Sequence, residues 1–209
     1  MSYFKEYLNT DMKFDRSLWI GIFCLIIVLS GVFGFVYEFV FYYFDGGMKT
    51  FYFRGGNFLP WINIYAYGAI LVYLFTYRYR KQPLKVFLIS LIACGLLEYL
   101  SGYVLYNYFG GIRYWDYNIE IWNFGNIGGF VCLRSVLFFG LSSLFLMYAV
   151  IPFVYYLAQN MNSKVFITIC VLLFVVIFVD DIYNLVFTKL LNTPSAIDIY
   201  SSMGIPYVN

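Results

Sequence analysis

Charged side chains that interrupt long apolar runs are the residues of this sequence whose type and position could do chemistry. They are Glu38, Glu98, Arg134, Asp180 and Asp181. A charge inside a lipid bilayer costs about 2.5–3.5 kcal/mol on insertion scales, so such residues pair with one another or face water. One interpretation is a structural ion-pair network in which Arg134 neutralises Glu38 or Glu98. Another is a polar cavity lined by these groups, and a third is a proton relay or a cation site.

The spacing of the neighbouring small residues predicts which helix faces carry the carboxylates. Glu38 lies four and seven positions after Gly34 and Gly31, which places the three residues on one face of a helix. Glu98 falls at steps of four residues from its small neighbours Ser90, Cys94 and Gly102. Because small residues mark close helix contacts in membranes, we expect these carboxylates to point into the protein rather than at lipid.

Two connecting segments add polar and aromatic side chains to this set. The first, Phe44–Leu59, is glycine-rich and carries Arg54, and it is either an external loop or a re-entrant hairpin. The second, Tyr106–Gly128, contains Arg113 and Asp116. Arginine guanidinium groups recognise anions with several donors at once, so we expect these segments to fold over the polar interior, with Trp115 and Tyr117 as its aromatic rim.

The composition excludes several classes of function. The chain has no histidine, which removes histidine-based acid–base catalysis, catalytic triads and histidine metal ligation. Its four cysteines are scattered singly and are typical of buried packing thiols. A net charge of +2 gives no field for nucleic acid, and the segment at Gly46 lacks the spacing of a nucleotide-binding loop. We therefore expect no cofactor, no metal, no nucleic-acid partner and no assigned catalytic residue.

The elements that position these residues are predicted to be transmembrane helices. Of the 209 residues, 63% are hydrophobic and 24% aromatic, with only 24 charged side chains, a composition that a soluble domain of this size could not bury. Runs near the 20 residues needed to cross a bilayer predict five helices, the fourth broken near Pro152. They are Ser17–Tyr43, Pro60–Tyr77, Val86–Gly111, Gly129–Ser163 and Val165–Thr188. We predict an all-α, polytopic membrane bundle, one domain over residues 1–209, with six spans if residues 44–59 cross.

The distribution of basic residues predicts the orientation in the cell membrane. Placing the cluster Arg78–Lys85 in the cytoplasm puts eight basic residues inside and four outside, as the positive-inside rule requires. The multi-pass chain then has its N-terminus in the cytoplasm and its C-terminus outside. In this orientation the charged residues within the spans all lie in the outer half of the membrane.

Four sequence blocks resemble a known bacterial membrane family. They are Gly34–Glu38, Arg54–Gly68, Leu97–Tyr103 and Arg113–Leu133, the last with Arg-Tyr-Trp-Asp-Tyr at its start. From Gly31 to Pro152 the chain is similar to the Putative ABC-transporter permease family, type IV (CmpB-like). The resemblance implies transport, with a separate cytoplasmic ATPase as partner and a small-molecule or ionic substrate. With the blocks included, the candidate ligand-binding residues are Glu38, Arg54, Glu98, Arg113, Trp115, Asp116, Tyr117, Asn123 and Arg134.

Three functions are compatible with these observations. The first is an integral membrane transport component, a permease or substrate-capturing subunit with a charged cavity in the outer half of the membrane. The second is a non-catalytic membrane protein for envelope assembly or immunity. The third is a membrane-embedded enzyme that uses Glu38, Glu98 or Asp116 as an acid–base pair. The absence of any nucleotide site within the chain favours the first.

Overall fold

The computed structural model of the protein describes residues 2–45, 55–111 and 113–205, and the regular secondary structure in these ranges is helical. No strand occurs in them; the single bridge joins Ile127 and Val131 within a loop. The predicted all-α class is therefore confirmed. Candidate residue Arg54 and most of the predicted re-entrant segment lie outside the described residues.

Among the described residues, four helices are long and apolar enough to cross a membrane. The first is α2, Arg16–Asp45, and the second is α4, Pro83–Tyr108. The third, Leu133–Asn160, and the fourth, Ser163–Leu191, each combine two α-helices with a π-turn between them. Their outer faces carry exposed aliphatic side chains such as Leu141, which is 60% exposed, as expected for surfaces that contact lipid. These helices confirm a multi-pass membrane protein.

The predicted second span is the shortest of the five. Helix α3, Asn63–Thr76, has 14 residues, or about 21 Å at 1.5 Å per residue, against a hydrocarbon core of about 30 Å. A 3₁₀ turn, Tyr77–Tyr79, extends it by one turn. The count of about five spans thus agrees with four long helices and this shorter one.

The predicted break near Pro152 is wrong, because Leu133–Asn160 continues through the proline. Helix α5, Leu133–Phe145, passes through a π-turn, Leu146–Val150, into α6, Ile151–Asn160. Proline removes one backbone donor from a helix and crowds the preceding turn. A π-turn widens the helix at that point, so the chain passes the proline without ending the span.

The described chain divides into two compact units. The first combines the described parts of Met1–Asp15 with Tyr67–Tyr156, and the second combines those of Arg16–Ala66 and Leu157–Asn209. The division rests on contacts alone, so a single domain over the whole chain stays a prediction.

Helices α4 and α5 form the main packing of the first unit. Small residues let the two backbones approach: a methyl group added at Gly140 would lie 2.6 Å from the Phe87 ring. At one end of the unit the short helix α1, Ser2–Asn9, inserts the fully buried Tyr7. The buried Arg80 guanidinium donates to the Tyr7 carbonyl at 2.9 Å and to the Asp11 carboxylate at 2.7 Å, which fastens this N-terminal segment.

Helix α2 packs against α7, Ser163–Ile182, in the second unit. The glycine face predicted for α2 is a contact surface. A methyl group at Gly31 would collide with the Trp61 indole, and one at Gly34 would collide with the Tyr65 ring. These two glycines therefore make room for the aromatic residues that begin α3.

Two short helices follow α7 in the described residues. Helix α8, Thr188–Leu191, ends the fourth long helix, and α9, Ala196–Ser202, begins with a capping box formed by Ser195 and Asp198. Hydrogen bonds from Ser195 lower the pKa of the Asp198 carboxyl below its usual value, which keeps the cap ionised.

Candidate functional site

Glu98 is the most buried charged side chain among the candidates, with 5% of its surface exposed. It lies on the face of α4 that also carries Ser90, Cys94 and Gly102, and all four residues are buried. The prediction that this face points into the protein is therefore confirmed. A carboxyl group in such a position needs polar partners.

Two hydroxyl groups supply those partners. The Tyr117 hydroxyl donates to Glu98 Oε1 at 2.5 Å, and the Ser135 hydroxyl lies 2.8 Å from Glu98 Oε2. Tyr117 belongs to the loop after α4, and Ser135 lies in the first turn of α5. Glu98 thus connects two helices and the loop between them.

The Tyr117 hydroxyl keeps its proton in this arrangement. Burial, and then the adjacent Glu98 carboxylate, raises the pKa of Tyr117 well above its usual value. A protonated phenol is a hydrogen-bond donor. The contact therefore fixes the loop to α4 through a donor that stays available at physiological pH.

Local backbone geometry places Ser135 where it meets Glu98. Cys132 is the N-cap of α5, and its backbone N–H donates to Ser135 Oγ at 3.3 Å as part of a capping box. Ser135 Oγ also lies 2.8 Å from the Cys132 carbonyl oxygen. The start of α5 therefore orients the serine hydroxyl toward the carboxyl of the neighbouring helix.

Arg134 forms its ion pair with Glu120, which sequence analysis did not identify as a candidate. The partners of Glu98 are hydroxyl groups, so the expected ion pair between Arg134 and Glu98 is wrong, and a pair with Glu38 stays a prediction. The loop turns back so that Glu120 reaches the beginning of α5, and 13% and 8% of the Arg134 and Glu120 side chains are exposed. The Arg134 guanidinium also lies 5.3 Å from the centre of the Tyr117 ring. The only signal for Glu120 in the sequence was a lone acid between two isoleucines.

Arg113 and Asp116 form a second ion pair in the same loop, at 3.3 Å. The Arg113 guanidinium lies over the rings of Tyr106 and Phe130, at 4.4 and 4.8 Å from their centres. Asp116 Oδ1 also accepts from the backbone and side-chain amides of Asn118, at 3.0 and 2.6 Å. The carboxylate therefore orders the loop beside the arginine, and about a quarter of each charged side chain remains exposed.

The remaining loop candidates make structural contacts. The Trp115 indole N–H donates to the Phe130 carbonyl at 2.9 Å, and the Asn123 amide donates to the Asn118 carbonyl at 3.4 Å. Gly129 has a φ of +79°, and a methyl group there would collide with the side chains of Arg113, Asp116 and Asn118. This glycine therefore lets the polar side chains close over the backbone.

A shallow groove lies beside this loop. It is lined by Gly102, Leu105, Arg113, Tyr114, Trp115 and Phe130. The groove encloses no space large enough for a water molecule. In this conformation its aromatic walls and the guanidinium pack against one another, and the predicted open cavity stays a prediction.

Glu38 belongs to the second unit, where it accepts a hydrogen bond from the Tyr65 hydroxyl at 3.2 Å. The structure therefore groups Glu98, Arg113, Trp115, Asp116, Tyr117, Asn123 and Arg134 within the first unit. One common site that also includes Glu38 and Arg54 stays a prediction.

The second unit has a polar cluster of its own around Asp180 and Asp181, which are 8% and 6% exposed. Asp180 accepts from the backbone N–H groups of Phe58 and Leu59, at 3.0 and 2.8 Å, and from the Asn184 amide at 2.8 Å. The Asn57 and Asn63 amides lie 3.4 and 3.1 Å from Asp181 Oδ1. The two carboxylates thus hold the segment before α3. Within the described ranges, no three acidic or cysteine side chains group as metal ligands.

Comparison with known protein families gives a match over most of the chain. A family model described as Putative ABC-transporter type IV matches residues 23–185, a range that contains every charged residue of the two clusters. No curated protein and no solved structure shows a significant match.

Proposed function

The chain belongs to the Putative ABC-transporter type IV family, since the family model covers well over half of it, and from this premise we propose that it is the membrane-embedded subunit of an ABC transport system. It acts as a permease or substrate-capturing subunit. A separate cytoplasmic ATPase supplies the energy, because the sequence has no nucleotide-binding loop of its own.

The observation that carries the proposed site is the polar cluster at the junction of α4, the following loop and α5. Buried charged groups are costly in a membrane protein and mark functional positions. Here Glu98, Glu120 and Arg134 are all at least four-fifths buried. The positive-inside orientation places this junction at the outer side of the membrane, where a substrate would arrive.

The loop offers an anion-binding group beside the cluster. Arg113 uses one terminal nitrogen for Asp116 and for the Gly128 carbonyl at 3.1 Å, and its ring partners leave part of the guanidinium at the surface. Arginine suits planar anions because it presents several donors in a fixed geometry. Opening of the groove beside Trp115 would let a substrate reach this group, so the substrate class is a small anion or a molecule with an anionic group.

Affinity purification of the protein from its native membrane tests the proposal. We expect an ATPase subunit to co-purify, and ATP hydrolysis by the reconstituted complex to depend on the substrate. Arg113→Gln should weaken the substrate response while leaving assembly intact, and Arg78→Gln, in the 3₁₀ turn that precedes α4, serves as the control. Isolation without any ATPase, together with turnover of a substrate by the protein alone, would contradict the proposal and favour an enzyme.

A further inference from the structure

We propose that Glu98 is a proton-binding site, whose carboxyl group takes up and releases a proton while its hydrogen bonds are kept. The proposal does not require the transport function, because proton binding belongs to the isolated chain. It follows from the chemistry of the groups that contact the carboxyl.

Both oxygens of Glu98 contact hydroxyl groups, Tyr117 on Oε1 and Ser135 on Oε2. A hydroxyl group donates one hydrogen and also accepts, whereas an ammonium, guanidinium or amide N–H only donates. Hydroxyl partners can therefore serve either a carboxylate or a carboxylic acid. The partners of Glu98 do not commit it to one charge state.

A second acceptor for the Ser135 hydroxyl hydrogen, which a change in the charge of Glu98 requires, lies close to it. Its oxygen lies 2.8 Å from Glu98 Oε2 and 2.8 Å from the Cys132 carbonyl oxygen, so its one hydrogen can serve either. When a hydronium ion from acidic solution gives its proton to Oε2, an O–H bond forms there, a water molecule is released and the carboxylate becomes neutral. The serine hydrogen then turns to the Cys132 carbonyl, its oxygen accepts from Glu98, and no other bond breaks.

Asp180 in the second unit has hydrogen-bond partners of a different kind from those of Glu98. Its oxygens accept from the backbone N–H groups of Phe58 and Leu59 and from the Asn184 amide, which cannot accept in return. A flip of the Asn184 side-chain amide would turn its oxygen toward Asp180. The oxygen is held in place because it accepts from the Ala196 backbone N–H at 2.8 Å. The groups that contact the Asp180 carboxyl are therefore N–H donors, unlike the hydroxyl groups that contact Glu98.

The charges around Glu98 add to the case. The charged groups near it are Glu120 of the loop and Arg134 of α5, which pair with each other. The titratable groups are the Tyr117 phenol and the Cys94 thiol, one turn earlier on α4. When Glu98 and Glu120 are both ionised, their two negative charges exceed the single positive charge of Arg134, and the cluster has a net charge of −1. One proton bound to Glu98 makes the cluster neutral.

Protonation of Glu98 changes how firmly the loop is held. A hydrogen bond to an ionised acceptor is roughly twice as strong as one between neutral groups. The Tyr117 contact therefore weakens when the carboxyl is neutral. Acidification should loosen the loop at Tyr117 relative to α4, which couples proton binding to access at the groove.

Infrared difference spectroscopy between neutral and acidic buffer tests the proposal on the purified full chain in lipid nanodiscs. The readout is the carbonyl stretch of protonated carboxyl groups. We expect a component in the wild type that is lost in Glu98→Gln, whose side-chain amide can make the same two contacts as the carboxylic acid. Exposed carboxyl groups contribute equally to both proteins and cancel in their comparison.

Two further variants make the outcome decisive. Ser101→Ala removes a hydroxyl of α4 that contacts only backbone carbonyls of its own helix, and it should keep the component. Tyr117→Phe retains Glu98 but removes its partner, so the component should shift in frequency; this variant decides the question if Glu98→Gln does not fold. Identical spectra for wild type, Glu98→Gln and Tyr117→Phe would overturn the proposal.

Discussion

The ion pair between Arg134 and Glu120 gives the most quantitative prediction, through the substitution Arg134→Ala. The pair joins the loop to the first turn of α5, and neither side chain is more than 13% exposed. Removing the guanidinium leaves the Glu120 carboxylate buried without its counter-ion. The expected effect is a large loss of folding stability.

The magnitude follows from the burial. Breaking a buried pair by removing one partner costs about 3–5 kcal/mol, because the remaining charge is uncompensated. At about 1.4 kcal/mol for each factor of ten, the folding equilibrium constant should fall by about two to nearly four orders of magnitude. Loss of the contact between Arg134 and the Tyr117 ring adds a smaller term.

A double substitution separates these contributions. Arg134→Ala combined with Glu120→Gln removes both charges, so it should recover much of the lost stability, while the ring contact stays lost. Arg134→Ala combined with Asp116→Asn should recover nothing, because Asp116 pairs with Arg113. The assay is unfolding of the purified variants in mixed micelles as the fraction of denaturing detergent rises.

The Arg113–Asp116 pair provides a control within the same loop. Because 25% and 28% of these side chains are exposed, solvent screens this pair more than the Arg134–Glu120 pair, and Arg113→Ala should cost less than Arg134→Ala. Equal losses for the two arginine variants, or a rescue of Arg134→Ala by Asp116→Asn, would refute the assignment of Glu120 as the partner.

Three further results follow from the same geometry. Asp180→Asn should destabilise the protein by about 1–3 kcal/mol in the unfolding assay, since its new amide faces backbone donors that lose their acceptor; wild-type stability would contradict this. Gly129→Ala should cost more than Gly110→Ala: both residues have positive φ, at +79° and +78°, but only the first has side chains in the way of a methyl group, and equal melting temperatures would count against the loop packing. The raised pKa of Tyr117 means that its contribution to stability is complete below about pH 10 and is lost as the pH rises further; alkaline unfolding of Tyr117→Phe should therefore be less steep than that of the wild type, and identical curves would contradict its burial.

Hydropathy and small-residue spacing were sufficient to predict the helices and the faces they bury. Four of the predicted spans are long helices, and the polar stripe through Glu98 is buried. The glycines of α2 also lie on a contact face, as their spacing indicated, although the spacing did not predict that aromatic side chains fill it. These features depend on local periodicity, which a single sequence displays directly.

The partners of the charged residues could not be predicted in the same way. Glu120 reaches Arg134 because the loop turns at glycines of positive φ, including Gly125, Gly128 and Gly129. Loop paths of this kind depend on tertiary contacts that leave no periodic signal. The same reason explains why the contacts of Asp180 with the backbone before α3 were not expected.

The π-turn before Pro152 has a similar explanation. Proline predicts a break because it removes a backbone donor and crowds the preceding turn. Whether the helix ends or widens there depends on the packing around it, and here the helix widens over Leu146–Val150 and continues.

Labelling from one side of the membrane tests the central claim most directly, namely that the polar cluster around Glu98 faces the exterior of a transport subunit. Cysteine would be introduced at Ile119, which is 85% exposed in the loop, or at the exposed Lys81 near the start of α4. The four native cysteines are buried and should react little. The account predicts that an impermeant maleimide modifies Ile119→Cys in intact cells and Lys81→Cys only after permeabilisation. The reverse pattern would place the cluster on the cytoplasmic side and contradict the account.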